Sequence, residues 1–190
     1  QVDGVWYYYD PVMLAGDYYY IDDDACYYFD NNGIMKANGW IPYETSYLYA
    51  DESGRLADGI VNIDGTTYLF NGYSLSYDNY YTDNGTAYVS DSEAHATQIE
   101  YNGWSSANGY WYYTEDGYVQ IGNLSLEDGY YFLDYETGRM ISNTEYNNSY
   151  YDASGRRYTG WKQFDGYWYY FDNYYKASDG VYNIDGKRYC

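Results

Sequence analysis

The sequence predicts an all-β fold: a β-hairpin solenoid of about ten repeats of about 20 residues each. Three observations predict it. Asp-Gly or Asn-Gly recurs between β-prone runs, at Asp3-Gly4, Asp64-Gly65, Asn84-Gly85, Asn108-Gly109, Asp128-Gly129, Asp165-Gly166 and Asp185-Gly186. Such a pair suits the two-residue type I′ turn, which needs positive φ at both central positions. Aromatic residues follow, most clearly in Trp168-Tyr169-Tyr170-Phe171, and aromatics favour the pleated surface of strands. No segment carries the 3.6-residue period of a helix.

The turn glycines are 61, 20, 24, 20, 37 and 20 residues apart. The first interval is three repeats, and 37 is two with one shortened. The missing registers fall near Ala25, Ser46 and Ser149, each followed by aromatics. Residues 1–190 therefore read as a single repeat array with registers near 4, 25, 46, 65, 85, 109, 129, 149, 166 and 186.

Each aromatic strand should lead into a second turn, in Asp30–Gly33, Asp51–Gly54, Glu115–Gly117, Glu136–Gly138 and Asp152–Gly155, where the glycine takes a left-handed conformation. An apolar residue follows at Met35, Leu56, Val119 and Met140. The unit restarts at Gly39-Trp40, Gly59-Ile60, Gly160-Trp161 and Gly180-Val181. The pattern is weakest over 71–102, where the aromatic strand shrinks to Ala87-Tyr88-Val89 and the second turn carries Glu93 in place of glycine. One hairpin is not stable alone, so stacked neighbours must bury one another's rings.

Composition narrows the function. The chain holds 36 Tyr and 6 Trp but 5 Phe. Tyr buries a ring while its hydroxyl seeks water or a partner, which suits a thin structure rather than a thick aliphatic core. The net charge of −20 excludes binding to nucleic acid or insertion driven by anionic lipid, and fits a soluble extracellular or cell-surface protein. No apolar run reaches membrane-spanning length. Gln1 in place of an initiator Met implies a mature form or a fragment.

No catalytic or cofactor site is expected. A glycosidase needs two carboxylates opposed across a cleft, which a thin solenoid does not offer. His95 is the one histidine and reads as surface loop. Asp22-Asp23-Asp24 lacks the spaced ligands of a calcium loop and reads as a solvated turn. With one His and two Cys, no zinc site is expected.

The segments GWKQFDGYWYYFD (160–172), DACYYFDNNGIMKANGW (24–40) and SSANGYWYYTEDGYVQIG (105–122) resemble the cell-wall-binding repeats of Gram-positive bacteria. That group includes choline-binding modules, glucan-binding regions of glucosyltransferases and clostridial toxin repeats. The resemblance implies a non-catalytic module whose partner is a choline-bearing wall polymer or a glucan, held by multivalency. It also implies a box of aromatics: a Trp from the Gly-Trp position, the first aromatic of the second strand, and a ring from the next repeat. Carried onto this chain, the Gly-Trp position falls on Trp40 and Trp161, with Trp104 offset. The second-strand position falls on Trp6, Tyr27, Trp111, Tyr131 and Trp168, and Tyr27 or Tyr47 serves Trp40. Thr67, Ala87 and Arg188 should leave their registers without a complete box.

The alternative is a structural protein whose repeats stack head to tail into filaments, its partners being copies of itself. Cys26 and Cys190 lie eight repeats apart, too far for an intramolecular bridge in a straight array, so any disulfide would join two chains.

Overall fold

The computed structural model describes every residue except Asp10, Pro11, Asp23, Asp24, Asp165, Asp179 and Cys190, and the backbone alone of Asp22. It is the all-β hairpin solenoid expected, with no helix among the described residues. Numbering the repeats by their first turn, repeat 1 is a single bridge, Val2 to Val5, around Asp3-Gly4. Antiparallel hairpins follow: Asp17–Asp22 with Ala25–Phe29 (repeat 2), Gly39–Tyr43 with Ser46–Ala50 (3), Gly59–Ile63 with Thr66–Asn71 (4) and Tyr80–Asp83 with Thr86–Ser90 (5). Then come Gly103–Ala107 with Tyr110–Glu115 (6), Gly122–Leu126 with Gly129–Leu133 (7), Thr144–Tyr146 with Ser149–Tyr151 (8), Gly160–Phe164 with Tyr167–Asp172 (9) and Tyr182–Ile184 with Lys187–Tyr189 (10). The chain divides into two compact units, Gln1–Tyr101 and Asn102–Cys190. The division falls at the end of the stretch where the repeat pattern is weakest.

Asp64-Gly65, Asn84-Gly85, Asn108-Gly109 and Asp185-Gly186 turn with positive φ at both residues, as the I′ geometry requires. Asp165 lies outside the described residues; its partner Gly166 has φ of +82°. One turn differs from the sequence reading. Leu126 pairs with Gly129, so Glu127 and Asp128 form the turn and Gly129 opens the strand. The turn before Ser149 is Asn147-Asn148, with φ of +48° and +60°.

The second turns of repeats 4, 6 and 9 are two-residue turns, Gly72-Tyr73, Asp116-Gly117 and Asn173-Tyr174, with positive φ at both residues; those of repeats 2, 3, 5 and 8 follow another plan. An aspartate at the end of the aromatic strand accepts backbone N–H bonds from the residues two and four places on. Asp51 does so from Ser53 (2.8 Å) and Arg55 (3.0 Å), and Asp152 from Ser154 (2.8 Å) and Arg156 (3.1 Å). The residue three places on from the aspartate takes positive φ: Gly33, Gly54 and Gly155. In repeat 5 the aspartate is Asp91, bonded by Glu93 and His95, and Ala94 takes φ of +62°. The residue standing in for glycine is thus Ala94, not Glu93. In repeat 7 the carboxylate is Asp134 rather than Glu136.

After the second turn the chain bonds back to the aromatic strand of the preceding repeat. The N–H of Met35 donates to Trp6, that of Leu56 to Cys26, that of Met140 to Trp111 and that of Arg157 to Tyr130, while the Leu69 N–H donates to the Ala94 carbonyl, at 2.7–3.0 Å. This link makes a stack out of hairpins. The cores are thin, as the composition implies: Leu48, Leu69, Phe70, Val89, Leu133 and Phe171 are wholly buried, one or two to a repeat.

Candidate functional site: aromatic corners between neighbouring repeats

The first residue after the hairpin-opening glycine pairs across its hairpin with a tyrosine: Trp40 with Tyr49, Trp104 with Tyr113 and Trp161 with Tyr170. Their ring centroids lie 5.0, 5.1 and 5.0 Å apart. The next repeat adds a second tyrosine to each Trp: Tyr68 at 5.1 Å, Tyr131 at 4.9 Å and Tyr189 at 5.0 Å. All six contacts are tilted or edge-on, the favoured aromatic arrangement. The result is three Trp–Tyr–Tyr corners of one design, in repeats 3, 6 and 9.

Three register assignments are corrected by this geometry. Trp104 is in phase, since Gly103 and Trp104 occupy the same ladder positions as Gly39-Trp40 and Gly160-Trp161. Tyr131 is the third ring of the Trp104 corner and is buried; the second-strand position belongs to Tyr130, opposite Ser125. Tyr27 is likewise one place beyond that position, opposite Tyr19, and buried Cys26 occupies it.

Sequence reasoning missed Tyr49, Tyr113 and Tyr170, and Tyr68 and Tyr189. A signal was present. Each cross-strand tyrosine lies nine residues after its Trp, and each next-repeat tyrosine 27 or 28 residues after it.

A second set of rings stands out from the corners at the second-strand position. Tyr47, Trp111, Tyr130 and Trp168 pair with Pro42, Ser106, Ser125 and Gln163, small or polar residues that leave the ring uncovered. They are 47%, 49%, 45% and 63% exposed, so their faces are open to solvent. Thr67, Ala87 and Arg188 hold the same position without a ring. The Trp rings of the corners contact their tyrosines, not Trp111 or Trp168. The Trp161 corner borders an open depression of about 1190 Å³, lined also by Trp168, Tyr182 and Ile184. Trp6 is exposed and borders a smaller one, about 540 Å³, with Tyr27, Phe29, Met35 and Glu52.

Charged groups fix the corner rings. The Tyr131 hydroxyl donates to Asp128 (2.9 Å), and Arg156 donates through Nε to Tyr131 (3.1 Å) and through Nη2 to Asp128 (2.6 Å). The Arg156 guanidinium and the Tyr131 hydroxyl hold the Asp128 carboxyl below the usual carboxylate range. His95 is not in a loop. Its backbone bridges to Tyr68, its ring lies 5.3 Å from the Tyr68 ring, and its Nδ1 is 3.2 Å from Asp91. That places it in a structural contact. Among the described residues no group of three or more His, Cys, Asp or Glu is placed to hold a metal. Asp23 and Asp24 lie outside the described residues.

Chemically the arrangement offers rigid, half-exposed aromatic platforms with polar rims. Such surfaces stack on flat apolar faces or attract cations.

No family model matches the chain. A glucosyltransferase-I of Streptococcus downei is 33% identical over 110 residues, 54% of this chain, and the chain spans about 7% of that protein's length. Choline binding protein F of Streptococcus pneumoniae aligns with all of this chain and 82% of its own, at 20% identity and a TM-score of 0.44. An alternansucrase solved with isomaltononaose aligns over 99% of this chain and 17% of its own, at 18% identity and a TM-score of 0.33. The proteins this chain is similar to thus include a choline-binding protein and a glucosyltransferase, as the repeats led us to expect.

Proposed function

We propose that the chain is a non-catalytic binding module of a secreted or surface protein and that its ligand is a glucan. The observation that carries this reading is the closed packing of the corners. With centroids about 5 Å apart, the rings pack on one another rather than around a space for a trimethylammonium group, yet Trp40 stays 41% exposed and Trp104 and Trp161 are half-buried. A pyranose ring stacks on such a surface, with Ser178 and tyrosines lining the depression beside Trp161 for its hydroxyls. The depression of about 1190 Å³ beside Trp161 exceeds what one quaternary ammonium fills and suits several sugar rings. The likeness to a glucosyltransferase points the same way. Weak sites repeated along one chain gain avidity on a repetitive polymer.

A choline-bearing wall polymer is the second reading, favoured by the net charge of −20, which attracts a cation. Affinity electrophoresis in gels containing dextran, with free choline as competitor, separates the two. Retardation by dextran that choline does not relieve supports the glucan reading. Retention on a choline resin with no retardation by dextran overturns it. A chain held by neither ligand, yet forming filaments, would leave the structural alternative.

A further inference from the structure

Two places beyond the second-turn glycine the chain carries an apolar residue, Met35, Leu56 or Met140, which bridges to Phe29, Ala50 or Leu133 of its own repeat. In repeat 8 the same place, bridging to Tyr151, holds Arg157. Repeat 3 shows what the fold asks for there. Leu56 and Arg157 each donate a backbone N–H to the second-strand residue of the preceding repeat, Cys26 and Tyr130. In each unit the second-turn tyrosine of the following repeat, Tyr73 or Tyr174, takes positive φ and lays its ring on the hairpin two repeats back. Leu56 is buried within that frame, so an apolar side chain suffices to build it.

Arg157 is costly by comparison. Its Nε is buried without a partner, and its Nη2 donates to the buried Ser149 hydroxyl at 2.7 Å. Among the described residues no carboxylate pairs with it. A buried donor left unmade destabilises a fold, and an unpaired charge does so more. The guanidinium instead faces rings: its Cζ lies 4.8 Å from the Tyr175 centroid and 5.7 Å from that of Tyr174, which meets Tyr130 at 5.1 Å. Tyr130 and Tyr175 are about half exposed. Repeats 7, 8 and 9 thus each contribute to one aromatic patch around an uncompensated cation. The surrounding sequence has the same sign. Residues 153–190 hold six of the nine Lys and Arg but four of the 29 Asp and Glu, and are net positive in a chain of charge −20.

We infer that Arg157, with Tyr130 and Tyr175, forms a binding site for an anionic substituent, a carboxylate or a phosphate, carried on a sugar ring. A guanidinium matches either oxyanion, and the charge-assisted bond is among the stronger ones available. Nη1 is the donor left for it: it bonds to no described residue and, unlike Nε, is not sealed off. The exposed tyrosine rings alongside supply the flat surface for the sugar. The site lies beyond the glucan reading, because dextran is uncharged and none of these three residues lines the depression beside Trp161.

Ligand-observed saturation-transfer NMR on the full chain tests this, with D-glucuronate and glucose-6-phosphate as probes and D-glucose as the neutral control. At least one anionic sugar should bind saturably and at least about tenfold more tightly than glucose, and the tighter of the two identifies carboxylate or phosphate as the group recognised. Arg157→Leu installs the residue type of repeat 3; it should melt no lower than the wild type and lose that preference. Tyr175→Ala, at an exposed ring, should keep the fold and weaken the same binding. No preference for either anionic sugar over glucose, an unchanged preference in Arg157→Leu, or a lower melting temperature of that variant overturns the inference. Dextran retardation of the same samples tests the glucan reading alone: its absence in the wild type sinks that reading and leaves the anion site to the titrations.

Discussion

The Trp104 and Tyr131 rings meet at 4.9 Å and 62° although they belong to different hairpins, joined by no ladder hydrogen bond of their own strands. The ring contact therefore belongs to the interface between repeats 6 and 7. Trp168, by contrast, is 63% exposed and contributes little to packing. Trp104→Ala should destabilise the chain by about 2 kcal/mol, the cost of an interfacial void. Trp168→Ala should change stability by less than about 0.5 kcal/mol and yet weaken dextran binding roughly tenfold. Thr67→Ala, at a ringless register, should affect neither. Urea denaturation and dextran electrophoresis on the three variants measure this, and equal retardation of all three would exclude the exposed Trp from binding.

The second-turn glycines carry a packing constraint besides their φ. A Cβ at Gly155 would collide with the Met140 thioether of the preceding repeat, one at Gly54 with Met35, and one at Gly33 with Met13. Repeat 4 has Leu75 on the ladder where repeat 2 has Met35, and there the next turn accepts Ala94. Gly155→Ala should thus cost about 1–2 kcal/mol, from left-handed strain and the displaced methionine together. Ala94→Gly should be near neutral, because relief of strain is offset by loss of a buried methyl. Urea midpoints of the two variants give both values, and a neutral Gly155→Ala would refute the constraint.

What was legible in the sequence is what local chemistry decides. Asp64-Gly65 demands a I′ turn whatever surrounds it, and Tyr-rich runs demand strands. The register errors arose where the local mark was ambiguous. Asp128-Gly129 reads as a turn pair, but Leu126 pairs with Gly129, and the whole strand shifts by one so that Tyr130 points out and Tyr131 in. Tyr73 and Tyr174 sit at φ of +69° and +73°, where a glycine would be expected. Their rings pack on Tyr20 and Tyr130, two repeats back. Those contacts come from stacking, so local propensity gives no hint of them. The corners were half legible for the same reason: their Trp carry a motif, but their tyrosines are defined by a partner repeat.

The aspartates of the second turns make stability depend on pH. For Asp152, burial raises the pKa, but hydrogen bonds from the Ser154 hydroxyl and from the backbones of Arg156 and Ser154 outweigh it, and the net shift is downward. Asp51, Asp91 and Asp134 are shifted the same way, and Asp30 is lowered chiefly by Lys36. A carboxylate with a depressed folded pKa binds its proton more readily when unfolded. Its stabilisation is therefore present above the unfolded value, about 4, and is lost as pH falls through the folded value. Asp152→Asn should melt below the wild type at pH 7, and the gap should shrink as pH drops below about 4. Melting temperatures from pH 7 to 3 test this; a gap that stays constant would show that the carboxylate charge is not what the turn uses.

Cys26 sits at the centre of the repeat 2–3 core with Ile41, Leu48, Ala50 and Leu56, and is 1% exposed. Burial pushes its thiol up to about 11, despite a backbone hydrogen bond from Tyr27 that favours the thiolate. Only a thiolate attacks a disulfide or an alkylating reagent, and this one is both suppressed and covered. A bridge to another chain through Cys26 would require its strand to leave the sheet, breaking the pairing of Tyr20 with Cys26 and the bond from Leu56 to the Cys26 carbonyl. The other cysteine, Cys190, lies outside the described residues. In the folded chain at pH 7, iodoacetamide should therefore leave Cys26 unmodified over hours, while in 6–8 M urea, concentrations of the order used to unfold such domains, it should react within minutes. Peptide mapping by mass spectrometry reads the site directly. Rapid native labelling, or a ladder on a non-reducing gel that Cys26→Ala abolishes, would show that this core opens and that the chain can be joined to its neighbours there.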